Sequence, residues 1–143
     1  SGPSSGAIIL QLKAGLYKRF FEGIRNVVAA EDVARGIWTM ADRGQTGHYI
    51  LGNENLQIQD FLKKILKDLG IQDSLPEKMS RAEYEALSEG VEKEKVLNLG
   101  VSRAVDWSKA ARDLGYQPQV PVDVAIRQTV DYFAGLRILK RKV

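Results

Sequence analysis

The chain has 143 residues, of which 44% are hydrophobic and 27% are charged, with a formal net charge of only +3. This composition is typical of a globular domain and not of a disordered chain, and the interspersed charges do not indicate nucleic-acid binding. No cysteine is present, which excludes disulfides and fits a cytoplasmic protein, and no apolar run approaches the roughly 20 residues that a membrane helix needs.

The first helix is predicted by apolar residues that share one face, namely Ile8, Ile9, Leu12 and Leu16, and it should end near Gly15. Residues 1–6 are small and turn-forming, so they are either vector-derived or a native loop. The cations Lys18 and Arg19 then stand among three aromatic residues. Either they belong to an ordinary cationic loop, or they meet a phosphate or carboxylate, which the guanidinium fork of Arg19 would suit.

The stretch from Asn26 to Gly52 organises the chain. Residues 27–30 form a short apolar run, as expected of a buried strand. Asp32 is a good N-cap for the next helix, which Gly44 would end. The inward face of this helix would carry Val33, Ile37, Met40 and Ala41. Residues 48–51 predict a second strand.

Three further helices follow. The clearest ends at Gly70, and its buried face carries Ile58, Phe61, Leu62, Ile65, Leu66 and Leu69. Residues 77–95 predict a charged, solvated helical region, and residues 108–114 predict a small helix that Gly115 ends. The closing helix has a stripe made of Val122, Ile126, Val130 and Phe133, and the tail from Arg137 to Val143 is basic.

Several ordered motifs carry a family resemblance. They are Gly2-Pro3, N-V-V-x-x-x-D-V-A-x-G from Asn26, G-x-T-G-x-Y-I-L-G-x-E-N-L from Gly44, and D-W-S-K-A-A-R-D-L-G-Y-Q-P from Asp106. Together they resemble the C-terminal part of the extended short-chain dehydrogenase/reductases. Within that family the chain is similar to NAD-dependent epimerase/dehydratases, hopanoid-associated sugar epimerases and dihydroflavonol reductases.

The resemblance implies an α/β fold, as a C-terminal fragment of a Rossmann-type enzyme that is mostly helical with short strands. Residues 1–143 would form a single unit, the substrate-binding lobe plus late Rossmann strands, without the N-terminal cofactor-binding part. Gly2 and Pro3 would lie near the substrate by family position. Lys18, Arg19 and Asn26 are candidates for substrate binding by chemistry and position.

The family's catalytic signatures are missing from the sequence. A Gly-rich loop lets backbone amides approach a pyrophosphate, and no such G-x-G-x-x-G loop occurs here; none of the five tyrosines has a lysine four residues later. We therefore expect no catalytic or cofactor-binding residue in this chain, and NAD or NADP only in the parent enzyme. The single histidine, His48, makes a histidine-rich metal site impossible.

The expected substrate is a nucleotide sugar or a related carbonyl compound, and epimerisation, dehydration and reduction all stay open as reactions. The expected partners are the missing N-terminal Rossmann half and further copies of the chain, because strands without neighbours expose edges that pair. An alternative is a small non-catalytic binding module whose basic C-terminal helix docks an acidic protein or a nucleic acid. A steep salt dependence of binding would indicate nucleic acid.

Overall fold

The computed structural model describes residues 5–87, 90, 93, 95–97 and 104–135. Within these ranges the helices are α1 (Ser5–Lys13), α2 (Ala30–Asp42), α3 (Ile58–Asp68), α4 (Arg81–Glu85), α5 (Ser108–Leu114) and α6 (Val122–Gly135). The strands are β1 (Arg19–Phe21), β2 (Ile24–Val27), β3 (Glu54–Gln57), β4 (Glu77–Met79) and β5 (Val96–Leu97), and a 3₁₀ turn covers Gln72–Ser74.

The strands form two small sheets. In the first sheet β1 is central and pairs in parallel with β4 and β5, so that Phe20 lies between Lys78 and Leu97. In the second sheet β2 and β3 are antiparallel, with Asn26 opposite Asn55. Parallel strands need long crossover connections, and the connection from β1 to β4 contains α2 and α3. The predicted α/β class, mostly helical with short strands, is therefore confirmed.

The main core lies where α1, α3 and α6 meet the first sheet. Its fully buried side chains include Ile8, Phe20, Leu62, Ile65, Leu97 and Val130. Helices α1 and α6 approach closely because Gly6 has no side chain, since a Cβ there would lie 2.3 Å from the ring of Phe133. The predicted apolar faces of α3 and α6 are the faces that this core buries.

A smaller core joins α5 to α2. It consists of Ala110, Leu114 and Tyr116, with Met40, Tyr49, Leu51 and Trp107 packed against it. The rings of Trp107 and Tyr116 meet edge to face at 5.8 Å, a favourable aromatic geometry. A Cβ on Gly36 would lie 2.8 Å from the side chain of Leu51, so a glycine in α2 permits this close contact. As predicted, α5 ends at Gly115, whose φ is +66°.

Both strands predicted within the organising stretch are wrong. The first was predicted over residues 27–30, but β2 ends at Val27 and α2 already begins at Ala30. Residues 48–51 form no strand within the described part of the chain, and β3 lies further on, at Glu54–Gln57. An apolar run misled the prediction because the strands that do pair contain polar residues, such as Asn26 opposite Asn55.

The orientation predicted for α2 is only partly confirmed: Val33 and Met40 are half-buried, and Met40 packs against the smaller core, but the rest of the predicted face is wrong. Ile37 is 58% exposed and Ala41 is exposed as well, whereas Asp32 and Gly36 are buried. The predicted end of the helix is confirmed, because Gly44 has a φ of +60° and its amide donates to a carbonyl of the last turn.

Three smaller expectations also need correction. Leu16, assigned to the inward face of the first helix, is 56% exposed. The expected cationic loop around Arg19 is instead the central strand β1. The region predicted as a charged helix begins with the strand β4. The short helix α4 follows it in the chain, with a capping box between Ser80 and Glu83.

Candidate functional site

A cavity of about 420 Å³ opens between α1, α3, α6 and the turn from β2 to α2. This volume lies in the usual range of small-molecule sites. One wall is the turn from Val27 to Glu31, and the facing wall is α6. The larger apolar residues that line the cavity are Ile9, Val27, Val28, Phe61, Ile65, Ile126 and Phe133.

The polar groups of the cavity are few. Ser5, Glu31, Gln128 and Tyr132 line it and are exposed to solvent. The hydroxyl of Thr129 also lines it but donates a hydrogen bond of 2.7 Å to the carbonyl of Ala125. The described lining residues include no lysine, arginine or histidine, and Glu31 is their only acidic residue. The cavity therefore suits an uncharged, largely apolar group and not a phosphate.

Most of the predicted substrate-binding residues lie away from this cavity or cannot be placed. Gly2 and Pro3 lie outside the described residues. Lys18 and Arg19 are exposed at the start of β1, and neither lines the cavity. The Nε atom of Arg19 is 3.8 Å from a carboxylate oxygen of Glu77, and such exposed pairs contribute little. The role of these residues in substrate binding stays a prediction.

Asn26, the fifth predicted residue, holds neighbouring segments together. Its Nδ2 donates to Oδ1 of Asn55 at 3.0 Å, and its Oδ1 accepts from the backbone amide of Asn53 at 3.1 Å. Asn55 in turn donates to the carbonyl of Val105 at 3.0 Å. The indole of Trp107 donates to the carbonyl of Asn53 at 3.0 Å. The Asn26 amide is thus part of the framework that joins β2, β3 and the approach to α5.

Asp32 is not the helix cap that its position suggested. The N-cap residue of α2 is Ala29, and no side chain caps the helix there. The Asp32 carboxylate is 1% exposed and accepts the backbone amides of Gln119 and Val120 at 2.8 and 3.1 Å. The guanidinium of Arg35 donates to the same carboxylate. The side chain therefore connects α2 to the segment that leads into α6.

The electrostatics of Asp32 follow from these contacts. Burial by itself raises the pKa of the Asp32 carboxyl, but the hydrogen bonds from Gln119, Val120 and Arg35 outweigh it, so the pKa is lowered. Asp32 directly follows Glu31 on one cavity wall, and Val120 precedes the helix that forms the other. This buried carboxylate therefore fixes the two walls relative to each other.

Arg25 is a candidate that the sequence analysis missed. It is half-buried in β2, and alternation along the strand places it on the same face as Val27, which lines the cavity. Within the described part of the chain, no carboxylate pairs with Arg25 and no side-chain hydrogen bond involves it. A half-buried cation without a partner can take an anionic ligand. The sequence contains no clear signal for it, because half of the four residues of β2 are polar and the lack of an acidic partner depends on the fold.

Other kinds of site find little support in the described residues. They contain no group of three His, Asp or Glu side chains that could hold a metal ion. None of their helices is long and apolar enough to cross a membrane. The described part of the last helix carries one basic residue, Arg127, against Asp123 and Asp131. The basic tail of the alternative interpretation, from Arg137 onward, lies outside the described residues.

The fold and the sequence motifs define a class, the Rossmann-type extended short-chain dehydrogenase/reductases. The family model described as GDP-mannose 4,6 dehydratase matches residues 8–129. The chain belongs to this family of nucleotide-sugar epimerases and dehydratases, which confirms the resemblance seen in the motifs. None of the curated protein sequences matches the chain significantly.

Solved structures show the same fold. A nucleoside-diphosphate-sugar epimerase from Pseudomonas aeruginosa is 27% identical, with a TM-score of 0.75 over 92% of this chain and 42% of its own. UDP-glucose 4-epimerase from Thermotoga maritima, solved with UDP-glucose, is 21% identical, with a TM-score of 0.65 over 94% of this chain and 43% of its own.

A third structure contains a cofactor. The dTDP-glucose 4,6-dehydratase DesIV from Streptomyces venezuelae, solved with NAD and TYD bound, is 24% identical, with a TM-score of 0.62 over 88% of this chain and 36% of its own. The present chain therefore spans less than half the length of each of these three proteins.

Proposed function

We propose that this chain is the substrate-binding portion of an NAD(P)-dependent nucleotide-sugar epimerase or dehydratase. The observation that carries the proposal is the family match over residues 8–129 in a chain that lacks the Gly-rich loop and the tyrosine–lysine pair. The chemistry of hydride and proton transfer would then depend on groups outside this chain. On its own, the chain would bind no dinucleotide tightly and would turn over no sugar nucleotide.

We propose that different residues contact the charged and the uncharged parts of the substrate. Arg25 is the cation for a phosphate, because it is half-buried and has no acidic partner among the described residues. The cavity beside Val27 takes an uncharged part of the substrate, since its lining is apolar apart from Glu31 and a few neutral groups. Arg25 does not line the cavity itself, but it shares a strand face with Val27, which does. Lys18 and Arg19 lie at the start of β1 and would meet the substrate only at its outer end.

NAD or NADP would be held by the remainder of the parent enzyme. When bound, the nicotinamide would accept and return a hydride, which is chemistry that amino-acid side chains do not supply. The residues of this chain would position the sugar nucleotide and exclude water from it. This proposal leaves the choice among epimerisation, dehydration and reduction open.

Isothermal titration tests the proposal on the chain itself. UDP and UDP-glucose should bind weakly, and Arg25→Ala should weaken both by about tenfold, as expected for the loss of a charge-assisted hydrogen bond. Lys63→Ala is the matched control, because it removes one positive charge from an exposed position on α3 and should change nothing. NAD and NADP should show no micromolar binding to the isolated chain.

Two results would contradict this proposal. Micromolar binding of NAD or NADP would show that a cofactor site is present in this chain. Equal loss of UDP affinity in Arg25→Ala and Lys63→Ala would mean that only the net charge matters, and that Arg25 makes no specific phosphate contact.

A further inference from the structure

The deep part of the cavity between α1, α3 and α6 is lined by hydrocarbon side chains. We define this deep part by the lining residues that are at most 8% exposed, namely Ile9, Ala29, Phe61, Ile65, Ala125 and Ile126. Thr129 lines the cavity above them and is half-buried, but its hydroxyl proton already goes to the carbonyl of Ala125. Among the described residues, no side chain of the deep part therefore offers a hydrogen bond to a ligand.

The polar side chains of the cavity lie at its mouth. Ser5, Glu31, Gln128 and Tyr132 are all exposed to solvent. Hydroxyl, amide and carboxylate groups of this kind can donate to or accept from the hydroxyls of a ligand. The carboxylate of Glu31 disfavours an anion at the same place. The cavity thus has a wet, neutral-binding end and a dry, apolar end.

An unsubstituted hexose fits the mouth but not the deep part. A sugar ring carries several hydroxyls, and each one that loses water without gaining a partner weakens binding by roughly fivefold to a hundredfold. The deep part supplies no side-chain partner for them, whereas it would bury hydrocarbon favourably. A sugar alone would therefore leave the deep part unused.

The size of the cavity supports a larger apolar ligand group. An apolar cavity of about 150 Å³ is large enough to hold benzene, with its six carbon atoms. The present cavity is about 420 Å³. By proportion it has room for on the order of 15 carbon atoms. A medium-length alkyl or acyl chain would fit within it.

We propose that the substrate of this site is a sugar nucleotide whose sugar carries a hydrocarbon substituent, an alkyl or acyl chain, and that the cavity holds this substituent. The inference rests on the proposed function and narrows its substrate class. The sugar hydroxyls lie at the mouth, where Glu31 and Gln128 can bind them. The chain extends inward between Phe61 and Ile126.

The position of Arg25 agrees with this arrangement. It lies two residues before Val27 on the same face of β2, and two residues of a strand span roughly 7 Å. Val27 lines the cavity. A phosphate at Arg25 and a hydrocarbon chain in the cavity would thus be separated by a space of roughly the length that the sugar ring must occupy.

Alkyl glucosides test the cavity without any phosphate. Methyl, butyl, hexyl and octyl β-glucoside are titrated into the chain by calorimetry, each below its micelle-forming concentration. We expect the affinity to rise about threefold for each added methylene group, as expected for burial of hydrocarbon. Octyl glucoside should therefore bind on the order of a hundredfold more tightly than butyl glucoside.

Two variants locate the binding in the cavity. Thr129→Phe places a ring inside it and should remove the dependence on chain length. Gln128→Trp narrows the mouth at an exposed position, where the substitution disturbs no packing, and should weaken octyl glucoside at least tenfold. Val124→Phe is the matched control, because Val124 is 38% exposed on the same helix and does not line the cavity. It should leave the whole series unchanged.

Two outcomes would overturn the inference. One is an affinity that does not rise from methyl to octyl glucoside. The other is tight binding of octyl glucoside that survives both Thr129→Phe and Gln128→Trp, because the hydrocarbon would then bind elsewhere on the chain. The titration of UDP with Arg25→Ala reports separately on the proposed function, since UDP carries phosphate without hydrocarbon and the glucosides carry hydrocarbon without phosphate.

Discussion

Replacing Asp32 perturbs the contact that connects α2 to the segment before α6. In the native protein its buried carboxylate accepts two backbone amides, from Gln119 and Val120, and the guanidinium of Arg35. Asp32→Ala leaves both amides without this acceptor. Asp32→Asn keeps one acceptor oxygen but turns an NH₂ group towards the second amide, so that two donors face each other.

The magnitude follows from the hydrogen bonds lost. A hydrogen bond to a charged group contributes about 1.5–3 kcal/mol, and a buried donor left without a partner costs about 1–3 kcal/mol. Because Gln119 is exposed and Val120 is half-buried, water can replace part of the loss. We expect Asp32→Ala to reduce the free energy of unfolding by about 2–4 kcal/mol. A helix cap alone would be worth about 0.5–2 kcal/mol.

Urea denaturation followed by near-ultraviolet circular dichroism measures this difference, provided that unfolding is two-state. Asp42→Asn is the control on the same helix, because Asp42 is exposed, and it should stay within about 0.5 kcal/mol of the parent. A loss below about 0.5 kcal/mol in Asp32→Ala would refute the argument that this carboxylate holds the two segments together.

The pH dependence gives a second check on Asp32. Its pKa is lowered in the folded chain, so its stabilising contribution is complete above the unfolded value of about 3.9 and is lost as the pH falls through the folded pKa. The parent should therefore lose stability below about pH 4 more steeply than Asp32→Asn. Parallel curves for the two proteins between about pH 2 and 5 would contradict the lowered pKa.

Two substitutions test the smaller core. Gly36→Ala should destabilise the protein by about 1–2 kcal/mol in thermal melts despite the better helix propensity of alanine, because its Cβ would lie 2.8 Å from Leu51. Gly135→Ala is the control, because no atom lies within 4 Å of the added Cβ, and it should show no loss of stability in the same assay. Tyr116→Phe should cost about 1–2 kcal/mol in urea denaturation, because its buried hydroxyl donates to the carbonyl of Gly52 at 3.1 Å; an unchanged midpoint would mean that this carbonyl finds another donor.

The sequence predicted well the elements whose burial follows from local periodicity. We predicted correctly the apolar face of α3 and the ends of helices at Gly44, Gly70 and Gly115. A 3.6-residue period and a glycine in the left-handed region are properties of a short segment, so the sequence alone shows them. The sequence also predicted the family correctly, because several motifs of the family occur in order and at fixed spacing. The missing Gly-rich loop was likewise visible without a structure.

Tertiary structure decided what lies opposite each residue. Asp32 looked like a helix cap because the sequence does not show that the amides of Gln119 and Val120, more than 80 positions later, come to its carboxylate. Arg25 gave no clear signal because the absence of an acidic partner depends on the folded arrangement around it.

The orientation of α2 shows most clearly which features the sequence predicts and which only the structure decides. Its sequence has two sides that could be buried, one with Ile37 and one with Gly36, and hydrophobicity favoured the first. The structure buries the second, where Leu51 packs so closely that a Cβ on Gly36 would lie 2.8 Å from its terminal methyl groups. A sequence thus determines which faces are apolar, but the three-dimensional contacts decide which apolar face this chain covers and which it leaves exposed.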